Sequence, residues 1–325
     1  MSDPFVKIVL ASVSPQKIPL ITVHMRYWRG IHSEIMTHRA FSRNARSSRA
    51  VPIQKLIDEV KIDPFVPRHW GKNQKGMQAS EECNEKVNLR GPLMFVKHDF
   101  NATREEAWRF ASEQAVCMAT SFMEAGYHKQ IVNRILEPYM WIDTLVTSTD
   151  WANFFALRDH PDAEPHFRDL AALAREEFLR YKGKFQILEP GQWHLPFMNG
   201  YIDEETGTRL SYPWVTTTEA SRDFYVLDIA RKISAARCAR ISYAPFDGRG
   251  DVASEVDRYY KLVLNKPVHA SPVEHQATPD YQIGDRGWAH PDEHRNFRGW
   301  RQNRATIEGE TEWDANDDFM RSLIE

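Results

Sequence analysis

The thirteen residues Thr37-His38-Arg39-Ala40-Phe41-Ser42-Arg43-Asn44-Ala45-Arg46-Ser47-Ser48-Arg49 constrain this chain more than any other stretch. Four arginines, three serines, a histidine and an asparagine leave Ala40, Phe41 and Ala45 as its only apolar side chains. Guanidinium forks and hydroxyls at such density make a cradle for phosphate or carbonyl oxygens. The same composition also suits a solvated basic loop, and composition alone does not separate the two. Upstream, Ile21, Val23 and Met25 alternate with Thr22, His24 and Arg26, which predicts a half-buried strand. Gly30 to Met36 then predicts a short helix feeding the arginine-rich stretch.

With 325 residues the chain is long enough for one large domain or two modest ones. We divide it at residue 183 into an arginine-signature and helical half (1–183) and a second half (184–325), forming one integrated unit. A net charge of −3 argues against a general nucleic-acid binder, whose footprint is strongly basic. Cys83, Cys117 and Cys238 are too scattered for a disulfide framework or zinc knuckle, which predicts a reducing compartment. The chain shows no apolar stretch of membrane-spanning length and no signal-peptide pattern, so the expectation is a cytoplasmic protein without membrane contact.

Several helices are legible. Ile53, Leu56, Ile57 and Val60 have helical spacing. Thr103-Arg104-Glu105-Glu106 is a capping box, with Trp108, Ala111, Ala115, Met118 and Phe122 as the expected buried stripe and Gly126 as the stop. Further helical runs cover Lys129 to about Leu145, interrupted at Pro138, then Trp151 to Arg158, and then a run after Pro161. Residues 186–226 read as hairpins and loops, with Asn199-Gly200 and Gly207 as turns; helix returns at Ile229–Ile241 and Ser254–Asn265. The acidic end, Glu308 to Asp318, reads as loosely ordered.

The chain has no glycine-rich dinucleotide fingerprint, no phosphate loop and no nucleophile elbow. His290 and His294 have metal-ligand spacing, but Pro291 lies between them and no third ligand is evident. What remains are polar residues on helices whose other positions are apolar: Gln130 and Arg134, then Asn153 and Arg158. An arginine flanked by core residues needs an anionic or carbonyl partner, either an internal acid or a bound nucleotide shared with Arg39, Ser47 and Arg49.

The motifs resemble those of the flavin-dependent thymidylate synthases (ThyX). That family's signature is Arg-His-Arg, seven residues, then Ser; here His38, Arg39, Ser47 and Arg49 fit the frame, with Ser42 and Asn44 in register. Arg134 to Pro138 is similar to its Ala-Arg-x-x-Leu-Pro helix, and Trp151 to Arg158 resembles its Asn-Phe-x-x-Leu-Arg segment. Ser234 to Tyr243 resembles Ser-Ala-x-Arg-x-Ala-Arg-Val-Ser-Phe, and His269 to His275 resembles His-x-Ser/Thr-Pro-Phe-Glu-His. The last two segments follow the arginine signature here, whereas in ordinary members they precede it. The chain is in this respect similar to longer, rearranged bacteriophage members, which would place it in the host cytoplasm. Asn296 to Glu310 suggests a worn second copy of the strand-helix-signature unit.

The resemblance implies an α/β (α+β) fold, an antiparallel sheet with a helical layer and its segments in permuted order. It implies FAD-dependent methylation of dUMP to dTMP, with methylenetetrahydrofolate as carbon donor and NADPH as reductant. It implies a homo-oligomer, dimer or tetramer, with small-molecule nucleotide and folate partners. By motif position, Ser47, Arg49 and Arg134 hold the nucleotide phosphate and sugar, and Glu34 and Arg158 contact the nucleotide. Arg158 and Ser47 are the catalytic candidates, and His38, Arg39, Asn153, His269, Ser271 and Glu274 line the flavin. No cysteine other than Cys238, beside Arg237, lies among the polar segments, which suits chemistry without a cysteine nucleophile.

Thr37 stands where the signature has its first arginine, Ala45 where it has glutamate, and Glu34 where a glutamine is expected. Glu34 and Ala45 favour an alternative substrate such as dCMP, or transfer of hydroxymethyl. A different class is a non-catalytic RNA or nucleotide binder that stacks bases on Phe41 and Trp28.

Overall fold

The computed structural model describes residues 3–77, 79, 81–90, 99–198, 201–202, 209–210, 221–241, 252–264, 269–285, 287–308, 310 and 322–323. In chain order, the first half contains β1 (Phe5–Val13), β2 (Pro19–Trp28), α1 (His32–Ile35), β3 (Ser42–Ala45) and α2 (Ile53–Ile62). It continues with the hairpin β4 (Val87–Leu89) and β5 (Phe100–Ala102), α3 (Arg104–Glu124), α4 (Lys129–Leu136), β6 (Trp141–Ser148), α5 (Ala152–Arg158) and α6 (Pro165–Arg180). The second half has β7 (Gln186–Ile187), β8 (Tyr201–Ile202), β9 (Arg209–Leu210), α7 (Ser221–Ala239) and α8 (Val252–Tyr259). It ends with β10 (Ala277–Pro279), β11 (Gln282–Ile283), β12 (Gly287–Trp288) and β13 (Trp300–Gln302).

The organising element is a five-stranded sheet of order β3-β6-β2-β1-β7, antiparallel except for the β1–β7 pair. The fold is mixed α/β with an antiparallel-rich sheet, as expected. Strand periodicity explains its two faces. Ile21, Val23, Met25 and Tyr27 of β2, with Ile142 and Val146 of β6, pack against Phe154 of α5 and Phe167, Leu170, Ala171 and Ala174 of α6. On the other face, Leu20 packs with Leu188, Phe297 and Trp300 from the second half. Glu164 caps α6 by accepting the Phe167 N–H at 2.8 Å, and Pro165 follows it. A separate cluster joins α2, α3 and α4 through Leu56, Val60, Ala119, Val132 and Leu136.

A buried polar chain bolts the second half to that outer face. Ser12 Oγ lies 2.8 Å from His194 Nδ1, and His194 Nε2 lies 2.8 Å from Thr22 Oγ1. Thr22 Oγ1 meets Thr147 Oγ1 at 2.7 Å, and Thr147 meets His275 Nδ1 at 2.8 Å. All five side chains are fully buried. Burial, and for His194 also the neighbouring His275, pushes both imidazoles down to about 3, so both are neutral.

Four local expectations need correction. The helical run over 129–145 stops at Leu136; residues 137–139 form a 3-10 turn around Pro138, and Trp141–Ser148 is the central strand β6. Isoleucine, valine and two threonines suit a strand buried on both faces, a pattern that short windows confuse with helix. The capping box at Thr103 is present, but the buried positions of α3 are Ser112 and Ala119, while Met118 is 40% exposed. α7 begins at Ser221 rather than Ile229. Residues 282–310 do not repeat residues 21–49: β2 and β3 flank β6, whereas β13 pairs directly with β10. Ser242, Tyr243, Asn199-Gly200, Gly207 and residues 311–318 lie outside the described residues.

Candidate functional site

The strand-edge position of β3 divides the arginine-rich stretch between the two faces of the sheet. Ser42 and Asn44 point toward the second half. Ser42 Oγ donates to Asn296 Oδ1 (3.2 Å) and accepts from Gln302 Nε2 (3.0 Å), while Asn44 Nδ2 donates to the Cys238 carbonyl (2.7 Å). Arg43 points the other way and donates to the carbonyls of Ile35, Met36 and His38, closing the C-terminus of α1. Burial lowers its pKa, a shift opposed by Glu274. Arg46 makes a bidentate pair with Glu59 at 2.7 and 2.8 Å. Arg43 and Arg46 are thereby spent on structure.

Arg39 and Arg49 are exposed and have no polar partner among the described residues, and the half-buried Ser47 hydroxyl has none either. The loop that carries Ser47 and Arg49 is held from below. Asn133, fully buried on α4, donates to the Ser48 carbonyl at 2.6 Å and the Val51 carbonyl at 3.0 Å. Glu137 accepts from Ser48 Oγ (2.7 Å), Arg29 (3.0 Å) and Arg134 (3.3 Å). Arg134 is 56% exposed, so Glu137 anchors it without removing it from solvent.

At the other end of the stretch, Arg158 reaches back from the C-terminus of α5. Its Nε donates to His38 Nε2 at 3.0 Å and its Nη2 to Thr37 Oγ1 at 3.1 Å. Its guanidinium lies over the Phe167 ring, 4.6 Å from the centroid. Glu34 Oε2 stands 3.9 Å from Nη1. Burial, then Arg158 and Arg43, lowers His38 to about 4, so the imidazole is neutral and its Nε2 accepts. Burial and the nearby Glu164 raise the Glu34 pKa, against the pull of Arg158. Thr37, in the place of the signature's first arginine, accepts from Arg158 and donates to the Glu34 carbonyl at 2.6 Å.

The residues predicted to line a flavin divide. Asn153 and His269 are exposed with no polar partner among the described residues, and Ser271 is half-buried. Glu274 is ion-paired with Arg304, which also holds Glu310, so its carboxylate is already neutralised. The turn Ser271–Glu274 packs against β3, which brings the His269 segment beside the arginine-rich stretch. His290 and His294 both bond to the buried Asp280, at 2.8 and 2.9 Å. Cys238 is fully buried, and burial pushes its thiol up, which removes it as a nucleophile. Phe41 is buried against Trp151 and Phe154, and Trp28 stacks on Phe65, so neither offers a face to a base. A cavity of about 610 Å³ between α2, Arg26, Tyr139 and Trp141 contains none of the predicted residues.

Asn133, Glu137, Asn296 and Gln302 were not anticipated. Asn133 carried a usable signal, since it falls between Val132 and Leu136 on the buried side of α4, where an apolar residue is cheaper.

No protein-family profile matches this chain, and no curated protein matches it. Two solved structures that resemble it are of a UMP/dUMP methylase, PolB from Streptomyces cacaoi, bound with 5-Br UMP or 5-Br dUMP. Identity is 15% and 16%, TM-scores are 0.41 and 0.38, and the match covers 55% of this chain and 90% and 91% of PolB. A likeness at that level carries no argument about residues or chemistry. No described helix is long and apolar enough to cross a membrane.

Proposed function

We propose that this chain methylates C5 of a pyrimidine nucleoside monophosphate in a flavin-dependent reaction, dUMP being the substrate of the family it resembles. Methylenetetrahydrofolate supplies the carbon and NADPH the reducing equivalents. The observation that supports the reading is the hydrogen bond from Arg158 to His38, which joins two motif segments 120 residues apart. The alternative of a purely solvated basic loop does not require α5 to deliver an arginine to that stretch.

The donor set suits a dinucleotide cofactor: Arg39 and Arg49 are unspent cations for phosphate oxygens, and Asn153 and His269 are unspent polar groups. When bound, FAD supplies the hydride that completes reduction of the transferred carbon. The chain's own residues bind and orient. Ser47, Arg49 and Arg134 hold the nucleotide phosphate on a loop fixed by Asn133. Arg158, locked by Thr37, His38 and Phe167, presents its remaining N–H groups to the pyrimidine and stabilises negative charge that develops there. Neutral His38 keeps that cation unscreened by a second positive charge. A homo-oligomer completes the site in this reading, which accords with the exposure of Arg39, Arg49, Asn153 and His269 in one chain.

The test is the absorption spectrum of the purified full chain, before and after incubation with FAD, followed by turnover of dUMP and dCMP with methylenetetrahydrofolate and NADPH. The expected result is a flavin spectrum and a C5-alkylated nucleotide. A colourless protein that takes up no FAD and turns over neither nucleotide overturns the reading.

A further inference from the structure

We propose that Glu34 makes this site select a 4-aminopyrimidine nucleoside monophosphate, of the cytosine type, over its 4-oxo counterpart. The inference rests on the reading above, in which Arg158 faces the pyrimidine ring.

The geometry at Arg158 leaves little freedom. Its Nε is committed to His38, one Nη2 hydrogen to Thr37, and one face of its guanidinium to Phe167. The unspent group is Nη1, and it faces Glu34 Oε2 across 3.9 Å, too far for a hydrogen bond. The Glu34 carboxylate has no hydrogen bond among the described residues. Its side chain is 35% exposed and that of Arg158 is 19% exposed, so the pair sits in a partly desolvated notch that a ligand edge can enter. The notch therefore offers one acceptor-only group beside one donor-only group, held apart by His38, Thr37 and Phe167.

A matching ligand edge carries a donor next to an acceptor. Cytosine presents its N4 amino group beside the bare N3, so N4–H donates to Glu34 while N3 accepts from Arg158. Carboxylates accept from cytosine N4 in nucleic-acid recognition for the same reason. Uracil presents N3–H between two carbonyl oxygens. A carboxylate that accepts N3–H then lies against a carbonyl lone pair with no donor to serve it. An amide at position 34 resolves that conflict, because it accepts from N3–H and donates to the adjacent carbonyl. The choice of acid over amide thus sets the sign of the preference.

The experiment is calorimetric titration of the full chain with dCMP and with dUMP, for the native protein and for Glu34→Gln. The native protein is expected to bind dCMP at least ~10-fold more tightly than dUMP, and the substitution to bring the ratio to one or below. Tighter binding of dUMP by the native protein, or a ratio unchanged by Glu34→Gln, overturns the inference and leaves the nucleotide reading intact. Binding of neither nucleotide, with or without FAD, overturns both. The native ratio alone decides the sign, so the result does not depend on the variant folding.

Discussion

Arg158 Nε donates to His38 Nε2 at 3.0 Å, and this contact requires the imidazole to be neutral. A protonated His38 has no lone pair to accept and sets a second positive charge against the guanidinium. The pair therefore acts as an orienting device, with the histidine fixing an edge of the arginine and leaving Nη1 for the site. Replacing Arg158 by alanine is expected to cost about 2–4 kcal/mol of transition-state stabilisation, roughly two to three orders of magnitude in turnover. Thermal unfolding should move far less than turnover. Full activity in Arg158→Ala counts against the assignment.

The four arginines of the signature stretch should separate by function when each is changed to alanine. Arg43→Ala strips the donor from three carbonyls and Arg46→Ala leaves Glu59 unpaired. Loss of the Arg43 contacts is expected to cost about 1–3 kcal/mol of stability. Arg39→Ala and Arg49→Ala touch no described partner and should leave stability within ~0.5 kcal/mol while weakening nucleotide or flavin binding. Denaturant unfolding of the four variants beside nucleotide titration checks the split. Uniform effects across the four would contradict it.

Asn133→Leu is close in volume but cannot donate to Ser48 and Val51. The loop bearing Ser47 and Arg49 loses its anchor, and the expected cost is about 1–3 kcal/mol. Because Asn133 touches no ligand in the proposed site, its effect on nucleotide affinity should travel with loop mobility. Hydrogen exchange at residues 47–51 should rise in the variant, with weaker phosphate binding but an unchanged preference between dCMP and dUMP.

Acid should undo the join between the two halves. His194 and His275 have folded-state pKa values of about 3 against 6.5 for an ordinary histidine. Between those values the unfolded chain binds more protons than the folded one, so stability falls as pH falls. The loss is about 2 kcal/mol per histidine by pH 5 relative to neutral pH, and stability is retained above pH 6.5. His32 and His38, lowered to about 4, add in the same direction. Urea unfolding at pH 5 to 8 measures the slope, and a flat profile would show that these imidazoles are not buried neutral.

The unspent polar residues Arg39, Ser47, Arg49, Asn153 and His269 were visible as motif members, because a residue kept free for a ligand is read from its type and spacing. The capping box, the β2 alternation and α6 were visible too, since each is decided within one or two turns of its own residues. Glu274 shows the limit of that reading. Its motif position suggested a cofactor ligand, and Arg304, thirty residues later, claims its carboxylate. Arg43 and Arg46 look the same as Arg39 and Arg49 in the sequence. Only the alternation of β3 against β6, and the arrival of α1 and α2 beside it, decides which cations are consumed and which remain. The sequence by itself determined the inventory of donors, the strand and helix periods and the motif order. The tertiary structure decided the pairings, because an ion pair or a buried hydrogen bond depends on distances across the sheet that no local pattern encodes.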